Sequence, residues 1–308
     1  MRPTWLYAAG AAAGMAIVGS SFAVLDTLRD YPQAGGQAVR YAVGAALLIT
    51  IAALRGPGPL SARAGVRGPG PLTRLTGRQV GRLGLLAASG LAAFNLLVMA
   101  AEESMDPGSV GVIVASVPVL LALAGPLQEG RRPERRVVGA AVVVAAGAAA
   151  VQGLGGEVTA AGLAAALGAL ACEAAFSLLA APLLAPLGAV AVSAWAALLA
   201  VPMLVATGLV LDGPGGLLRV PTAGEALGLA WLAVGVTAIA FVLWYSAVQA
   251  LGVERTGLLT GVLPVSALVV AALLGTADLT PGRLAGAVLV GAGIAAGLLS
   301  RAGGFRRV

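Results

Sequence analysis

Glu173 is the residue of this 308-residue chain whose type and position most directly suggest chemistry. It lies in the middle of the apolar run ALGALACEAAFSLL, and a carboxylate at a membrane centre costs about 2.5–3.5 kcal/mol on insertion scales. Desolvation favours the neutral form of a carboxyl group, so Glu173 could bind and release a proton near neutral pH. We therefore predict that Glu173 is a proton-coupling site. A neutral packing residue or a partner for Arg40 is the alternative.

Four further polar or aromatic side chains lie within apolar runs and are candidate cavity residues. Arg40 must find a carboxylate, carbonyl groups or water, and it could bind a substrate carboxylate through two parallel hydrogen bonds or serve a structural role. Asn95 must face protein or a cavity, because lipid would leave its amide unsatisfied. Trp244 and Tyr245 could stack against a ligand or belong to the aromatic belt at the membrane interface.

Two prolines in apolar runs mark positions where a helix is expected to bend. Pro118 and Pro264 each remove a backbone donor and so free a carbonyl group. Ser116 and Ser266 are close enough in sequence to bond such freed groups. We predict that these four residues belong to hinges or cavity-lining breaks near a binding region. A purely structural kink is the alternative.

Several residue types are absent from the chain, and their absence excludes classes of function. The chain has no histidine and no lysine, and all 19 basic residues are arginine. A Walker A loop needs lysine, and imidazole metal sites and histidine general bases need histidine. The single cysteine, Cys172, cannot form an intrachain disulfide. We predict no metal, no cofactor and no enzymatic activity.

The composition indicates an all-α integral membrane protein. The chain is 59% hydrophobic and 10% charged, whereas soluble domains are about 25% charged. Apolar runs long enough to span a bilayer lie at Trp5–Leu25, Gln33–Leu54, Leu83–Ala101, Gly108–Leu127 and Val137–Gly153. Five more lie at Thr159–Ala181, Gly188–Leu211, Ala226–Leu251, Thr256–Leu274 and Gly282–Leu299.

The distribution of arginine predicts the orientation of these ten spans. With the N-terminus inside, fifteen arginines fall on cytoplasmic segments, while only Arg29, Arg219 and Arg283 fall outside and Arg40 lies within a span. This bias favours cytoplasmic N- and C-termini in an inner (plasma) membrane. Because the arginines flank helix ends, the basic pI of about 10.6 does not indicate nucleic-acid binding.

The chain contains an internal duplication. The segments GVIVASVPVLLAL and GLLTGVLPVSALV place Gly111 and Pro118 at the same spacing as Gly257 and Pro264. Five spans per half is an odd number, so the two halves are predicted to be inverted repeats, covering residues 1–153 and 154–308. Residues 55–82, rich in glycine, proline and arginine, are predicted to form a flexible cytoplasmic linker that contacts anionic headgroups.

The order of these motifs resembles the EamA-type branch of the drug/metabolite transporter superfamily. The resemblance extends to Gly19-Ser20-Ser21-Phe22, Arg40, Glu129 and the end of the eighth span at Leu243–Ala247. Val18 and Cys172 stand where the family usually has tryptophan. The resemblance implies a secondary-active exporter of small metabolites, amino acids or drugs that works by alternating access through a cavity lined by both halves.

Other functions stay open on the sequence alone. Relatives in this superfamily move lipid-linked sugars, so a flippase of polar lipids is the nearest alternative. A membrane enzyme would need clustered catalytic groups, and a structural membrane protein would not need a buried Glu173 and Arg40. The predicted partners are a small-molecule substrate and membrane lipids.

Overall fold

The computed structural model of the chain describes residues 3–55, 75–153 and 158–299, and these form ten long helices. The first five, α1 to α5, span Thr4–Val24, Gln33–Leu54, Gly77–Glu102, Pro107–Gln128 and Arg135–Gln152. The second five, α6 to α10, span Ala160–Leu187, Ala189–Leu211, Ala223–Leu251, Val253–Leu273 and Pro281–Leu299. All ten are long and apolar enough to cross a membrane, which confirms the predicted number of spans.

Helices α3 and α8 begin in the same way, with a capping box. Thr76 accepts a hydrogen bond from the backbone of Gln79, whose side chain accepts one from the backbone of Thr76. Thr222 and Glu225 repeat this arrangement at the start of α8. A capping box satisfies two backbone donors that a helix start leaves free. Both helices therefore begin earlier than predicted, and the last residues of the predicted linker, from Gly77 onward, are helical; residues 56–74 lie outside the described residues.

The same two helices share an unusual central segment. Residues Ala87–Ala93 in α3 and Leu232–Ile239 in α8 are wound with hydrogen bonds between residues five apart, as in the bond from the Phe94 N–H to the Ser89 carbonyl. Such wide turns insert one extra residue and are frequent at functional sites. Their equivalent positions show that the two halves repeat in detail.

Packing between the helices follows a pseudo-two-fold arrangement. Helix α2 packs against α7, and α5 packs against α10. Helix α1 packs against α8 and α9, while α6 packs against α3 and α4. A Cβ atom on Gly14 of α1 would contact Leu243 of α8, and one on Gly168 of α6 would contact Leu97 of α3. These matched contacts, with five helices per half, confirm two inverted five-helix repeats.

Helix α6 extends further than the sequence predicts. The apolar run predicts an end at Ala181, but the helix continues through Pro182 and Pro186 to Leu187. Proline at position 182 cannot donate to the Leu178 carbonyl, and the side-chain amide of Gln128 in α4 donates to that carbonyl instead, at 2.9 Å. A hydrogen bond from a neighbouring helix thus makes the proline tolerable.

The bundle has two ends, which we name by the chain termini. The terminal face is the end at which α1 begins and α10 ends. The opposite face carries the connections α1–α2, α3–α4, α5–α6, α7–α8 and α9–α10. Residues 300–308 of the predicted basic tail lie outside the described part of the chain.

Candidate functional site

Glu173 lies halfway along α6 on the side that faces the interior of the bundle. It shares a helical stripe with Ala169, Phe176 and Ala180, of which the two alanines are buried. Protein atoms surround its carboxylate densely, yet part of the side chain remains accessible. Within the described residues, no hydrogen bond or ion pair reaches the carboxylate. It also lies within electrostatic range of Tyr245.

An aromatic cluster, defined here as Tyr41, Phe176, Phe241 and Tyr245, includes Phe176, which follows Glu173 by three residues in α6. The rings of Phe176 and Tyr245 stack with their centroids 5.0 Å apart, and Phe241 meets Phe176 edge-on, also at 5.0 Å. Tyr41 of α2 is 6.5 Å from Phe241. These separations are those of attractive aromatic pairs. The cluster joins α2, α6 and α8 and so crosses the boundary between the halves.

Arg40 is held by polar and aromatic neighbours and has no ion pair with Glu173 within the described residues. Its Nε donates to Thr237 Oγ1 of α8 at 2.9 Å, and its Nη1 donates to Gln37 Oε1 at 3.1 Å. The guanidinium lies 4.9 Å from the centre of the Tyr41 ring, a favourable cation–π distance. The alternative in which Glu173 is a partner for Arg40 is thus not the arrangement found here. Arg40 instead ties α2 to the wide-turn segment of α8, and its contact with a substrate stays a prediction.

Replacing Thr237 should show how much this tie contributes. Thr237 is fully buried, and Thr237→Val keeps its shape but removes the acceptor for Arg40. A hydrogen bond to a charged group contributes about 1.5–3 kcal/mol, so we expect a loss of that size in chemical unfolding of the purified protein. Thr50→Val is the control, because Thr50 is exposed and bonds only the Ala46 carbonyl of its own helix. An equal loss in both variants would contradict the assigned role of Arg40.

Trp244 and Tyr245 are buried in the protein, whereas residues of an interfacial belt would be exposed at the membrane surface. Trp244 Nε1 donates to Ser177 Oγ at 3.0 Å, and the Tyr245 hydroxyl donates to the Phe176 carbonyl at 3.2 Å. Both bonds connect α8 to α6. In this state of the protein the two residues thus help to close the terminal face, and ligand stacking by either of them stays a prediction.

Asn95 is partly buried in α3 and bonds within its own helix. Its Nδ2 donates to the Leu91 carbonyl at 2.8 Å, directly after the wide-turn segment. The Asn95 amide therefore donates a hydrogen bond within α3 itself. Its two predicted roles, a bond to another helix and cavity lining, stay predictions.

Pro118 and Pro264 lie directly after equivalent irregularities in α4 and α9. Helix α4 is interrupted by a turn at Ala115 and Ser116, and α9 tightens into a 3₁₀ turn at Leu258–Gly261. Both prolines are buried. Both α4 and α9 are thus irregular at the equivalent place.

The serines near these prolines do not bond the carbonyl groups that the prolines free. The Ser116 hydroxyl donates to the Ile113 carbonyl at 2.6 Å, and the Ser266 hydroxyl donates to the Leu263 carbonyl at 2.9 Å. The carbonyl groups freed by Pro118 and Pro264 belong to Val114 and Thr260, four residues before each proline. Our expectation that the serines satisfy these carbonyls is therefore wrong, because each serine bonds the carbonyl three residues before itself.

An ion-pair network joins the two halves at the terminal face. Arg131, between α4 and α5, contacts Glu129 at 2.7 Å and Glu254, at the start of α9, at 3.1 Å. The hydrogen bond with Glu129, supported by Glu254, raises the pKa of Arg131 above its usual value, so it keeps its charge. Arg255 and Glu134 form a second pair at 3.5 Å. Because Glu254 is only 8% exposed, losing Arg131 would leave a nearly buried carboxylate without its partner.

The opposite face is divided into two groups of helices. The Arg219 guanidinium pairs with the Glu225 carboxylate. The Tyr31 hydroxyl donates a hydrogen bond to the backbone carbonyl of Arg219 at 3.0 Å, which joins the α1–α2 connection to the α7–α8 connection. Thr159 donates to the Ser104 carbonyl at 2.8 Å, which joins α6 to the α3–α4 connection. Within the described chain, the second half of α3 and the first half of α4 do not pack closely against α1, α2 or α8. The bundle is therefore closed at the terminal face and parted at the opposite face.

Two shallow spaces that are open to the outside lie on the half of the bundle near the opposite face. A cleft of about 440 Å³ lies between Leu96 of α3 and the residues Ala206, Thr207, Val210 and Leu211 of α7. A smaller space of about 270 Å³ lies near Met105, where α4, α5 and α6 meet. None of the sequence-predicted site residues lines either space. Among the residues that the structure describes, no cluster of acidic, cysteine or histidine side chains is arranged to hold a metal ion.

Sequence reasoning missed the residues that connect the halves. Thr237, Phe176 and Phe241 look like ordinary apolar-run residues, and the sequence carries no signal that singles them out. The ion pairs have a weak signal, since an acidic residue stands near arginine after α4 and again at the start of α9, at Glu129 and Glu254. In the sequence, those arginines are informative mainly as markers of orientation.

Comparison with known proteins agrees with this architecture. The family model of the EamA-like transporter family matches residues 4–152 and again residues 160–298. No curated protein matches the chain. A solved structure described only as "Crystal structure of protein" is similar in fold, with a TM-score of 0.73, 18% identity, and 95% of this chain and 97% of that chain covered. With ten apolar helices and a family match over both halves, this multi-pass membrane protein belongs to the EamA-like transporter family.

Proposed function

We propose that the protein is a secondary-active transporter that exports small metabolites, amino acids or drugs across the plasma membrane by alternating access. In this proposal the terminal face is cytoplasmic, as the arginine distribution predicts, and the structure is the state open to the outside. Glu173 exchanges a proton during each cycle. No step needs a cofactor, because the gradient supplies the energy.

One observation carries the proposal: Glu173 is a carboxylate halfway along α6 that faces the bundle interior and that no hydrogen bond or ion pair reaches within the described residues. Helix α6 runs from the opposite face to the terminal face, so Glu173 precedes Phe176 and lies on the opposite-face side of the stacked Phe176 and Tyr245 rings. A carboxylate inside a membrane protein is costly and usually marks a substrate or proton pathway. Inverted repeats supply the two equivalent conformations that alternating access needs.

A substrate screen on the purified protein tests the proposal. Amino acids, small metabolites and cationic drugs are added one by one, and the melting temperature is followed, because a ligand that binds the folded state raises it. Each stabilising compound is then offered to proteoliposomes as labelled substrate. We expect saturable uptake for at least one compound class. Protein-dependent flux that stays linear with concentration for every compound would contradict a transporter with a binding site.

The cleft between α3 and α7 favours a second candidate, a flippase of polar lipids. Its walls are apolar at Leu96, Val210 and Leu211, as an acyl chain would require, while the headgroup would cross between the halves. Transbilayer movement of fluorescent phospholipids in proteoliposomes distinguishes the two. Protein-dependent lipid movement without saturable solute uptake would favour the flippase.

A further inference from the structure

The two inverted halves are equivalent in sequence register but differ in packing. The second half of α8, Ala240–Leu251, packs closely against α1, α6 and α7 at the terminal face. Its counterpart in the first half is the second half of α3, Phe94–Glu102, at the opposite face. Within the described chain, that segment packs against α6 and α4 and does not pack closely against α1 or α2. One end of the bundle is thus closed by contacts that the other end lacks.

The register between the halves identifies the residues that correspond. The contact of Gly14 with Leu243 matches the contact of Gly168 with Leu97. The same register pairs Phe22 with Phe176. It also pairs Met99 with Tyr245, because each lies two residues after its leucine.

These counterparts have opposite exposures. Phe176 and Tyr245 stack at 5.0 Å, and Tyr245 is fully buried. Phe22 is 53% exposed and Met99 is 39% exposed. The pair that closes the terminal face therefore has an open, apolar counterpart at the opposite face.

The exposure of Phe22 is not explained by a lipid-facing position. Ala11, Met15 and Val18 form one stripe along α1, with the spacing of a single helix face, and Phe22 continues this stripe directly after the turn at Ser21, which keeps right-handed helical backbone angles. Ala11 and Met15 are buried in the main core and Val18 packs against it. The stripe faces the bundle interior, so Phe22 is exposed because the helices have parted beside it.

We propose that Phe22 and Met99 pack against each other when the opposite face closes, as Phe176 and Tyr245 pack at the terminal face. The inference rests on the proposed alternating access. Phe22 and Met99 then form the gate of the opposite face. In alternating access, the gate at the opposite face closes when the terminal face opens. The pairs Arg131–Glu254 and Phe176–Tyr245 at the terminal face therefore separate in the same transition.

Cysteine cross-linking in the membrane tests this pairing without any substrate. The only cysteine, Cys172, is first removed by Cys172→Ser. Phe22→Cys and Met99→Cys are then introduced together into this cysteine-free protein. We expect a disulfide to form under mild oxidation in the fraction of molecules that visit the closed state. Phe22→Cys with Ala100→Cys is the matched control, since Ala100 is an exposed neighbour of Met99 on another face of α3.

A shift in the conformational equilibrium provides a second readout. Adding Arg131→Gln weakens the terminal gate, and we expect the yield of the 22–99 cross-link to rise by at least about fivefold, because the nearly buried Glu254 loses its partner in the closed terminal face. Arg132→Gln, which changes an exposed arginine next in sequence, should leave the yield unchanged. Equal yields for the 22–99 and 22–100 pairs, or no response to Arg131→Gln, would overturn the proposed gate.

Spin labels at positions 22 and 99 give the same information without a covalent bond. We expect two distance populations, with the shorter one enriched by Arg131→Gln, whereas a single long distance would overturn the proposal. Neither measurement depends on transport. If the 22–99 contact forms but the unmodified protein shows no substrate flux, the proposed function is contradicted and the proposed gate is supported. If the unmodified protein shows substrate flux but the 22–99 contact does not form, the proposed gate is contradicted and the proposed function is supported.

Discussion

Glu173→Gln is expected to abolish substrate uptake driven by a pH gradient, while exchange of substrate for substrate continues. A glutamine keeps the size of the side chain and resembles the protonated carboxyl group, but it cannot release a proton. Net transport of substrate against its concentration gradient needs that release of a proton. In substrate exchange the binding site returns across the membrane with substrate bound, so no net proton movement is needed. The measurement is uptake of labelled substrate into inverted vesicles whose interior is acidified.

The control for this prediction is Glu103→Gln. Glu103 is exposed at the end of α3, at the opposite face, so its charge lies in the solvent and not along the pathway. We expect pH-driven uptake in this variant to equal that of the unmodified protein. Unchanged pH-driven uptake in Glu173→Gln would remove Glu173 from the coupling mechanism, and loss of exchange as well would assign it to substrate binding.

Gly147→Leu is expected to cause a large loss of stability by forcing two tightly packed helices apart. A Cβ atom on Gly147 of α5 would lie 2.7 Å from the Gly286 carbonyl oxygen of α10 and 2.8 Å from the Val290 backbone nitrogen. Backbone atoms cannot move aside as a side-chain end can, so the two helices must separate. Membrane helices associate largely through such close packing of small residues. We expect a loss of about 3 kcal/mol in the free energy of unfolding, the upper end of the usual cost of overpacking, because the clash is with backbone atoms.

Gly139→Leu in the same helix is the matched control. A Cβ atom on Gly139 would meet no atom within 4 Å, and replacing glycine in a helix favours helix formation by up to about 1 kcal/mol. Chemical unfolding in detergent should therefore show a destabilised Gly147→Leu protein and a Gly139→Leu protein at least as stable as the unmodified one. Similar unfolding of both variants would contradict the close packing of α5 against α10.

The architecture could be predicted because it rests on long-range regularities of sequence. The lengths of apolar runs give the spans, and the repeated Pro118 and Pro264 motifs give the duplication. An odd number of spans per half gives the inversion. Boundaries were less predictable. Helix α3 begins at Gly77 because Thr76 and Gln79 form a capping box, and α6 continues past Pro182 because Gln128 bonds the freed carbonyl group.

The contacts of the site could not be predicted, because they depend on which helices are neighbours. Arg40 bonds Thr237, and Tyr245 bonds the Phe176 carbonyl, across large separations in sequence. Trp244 and Tyr245 stand near a helix end, which is typical of interfacial residues, but α6 and α7 cover that end of α8. The difference between the closed and open faces is a property of conformation, and two similar halves carry no sequence signal for which face is open.

Trans-stimulation in proteoliposomes tests the central claim most directly. Vesicles are loaded with labelled substrate, and its efflux is followed with and without saturating unlabelled substrate outside. If a single site is exposed alternately to the two sides, a loaded protein returns faster than an empty one, and external substrate accelerates efflux. Efflux that is unchanged by external substrate, or that increases in proportion to the gradient without saturation, would contradict alternating access and point to an open pore.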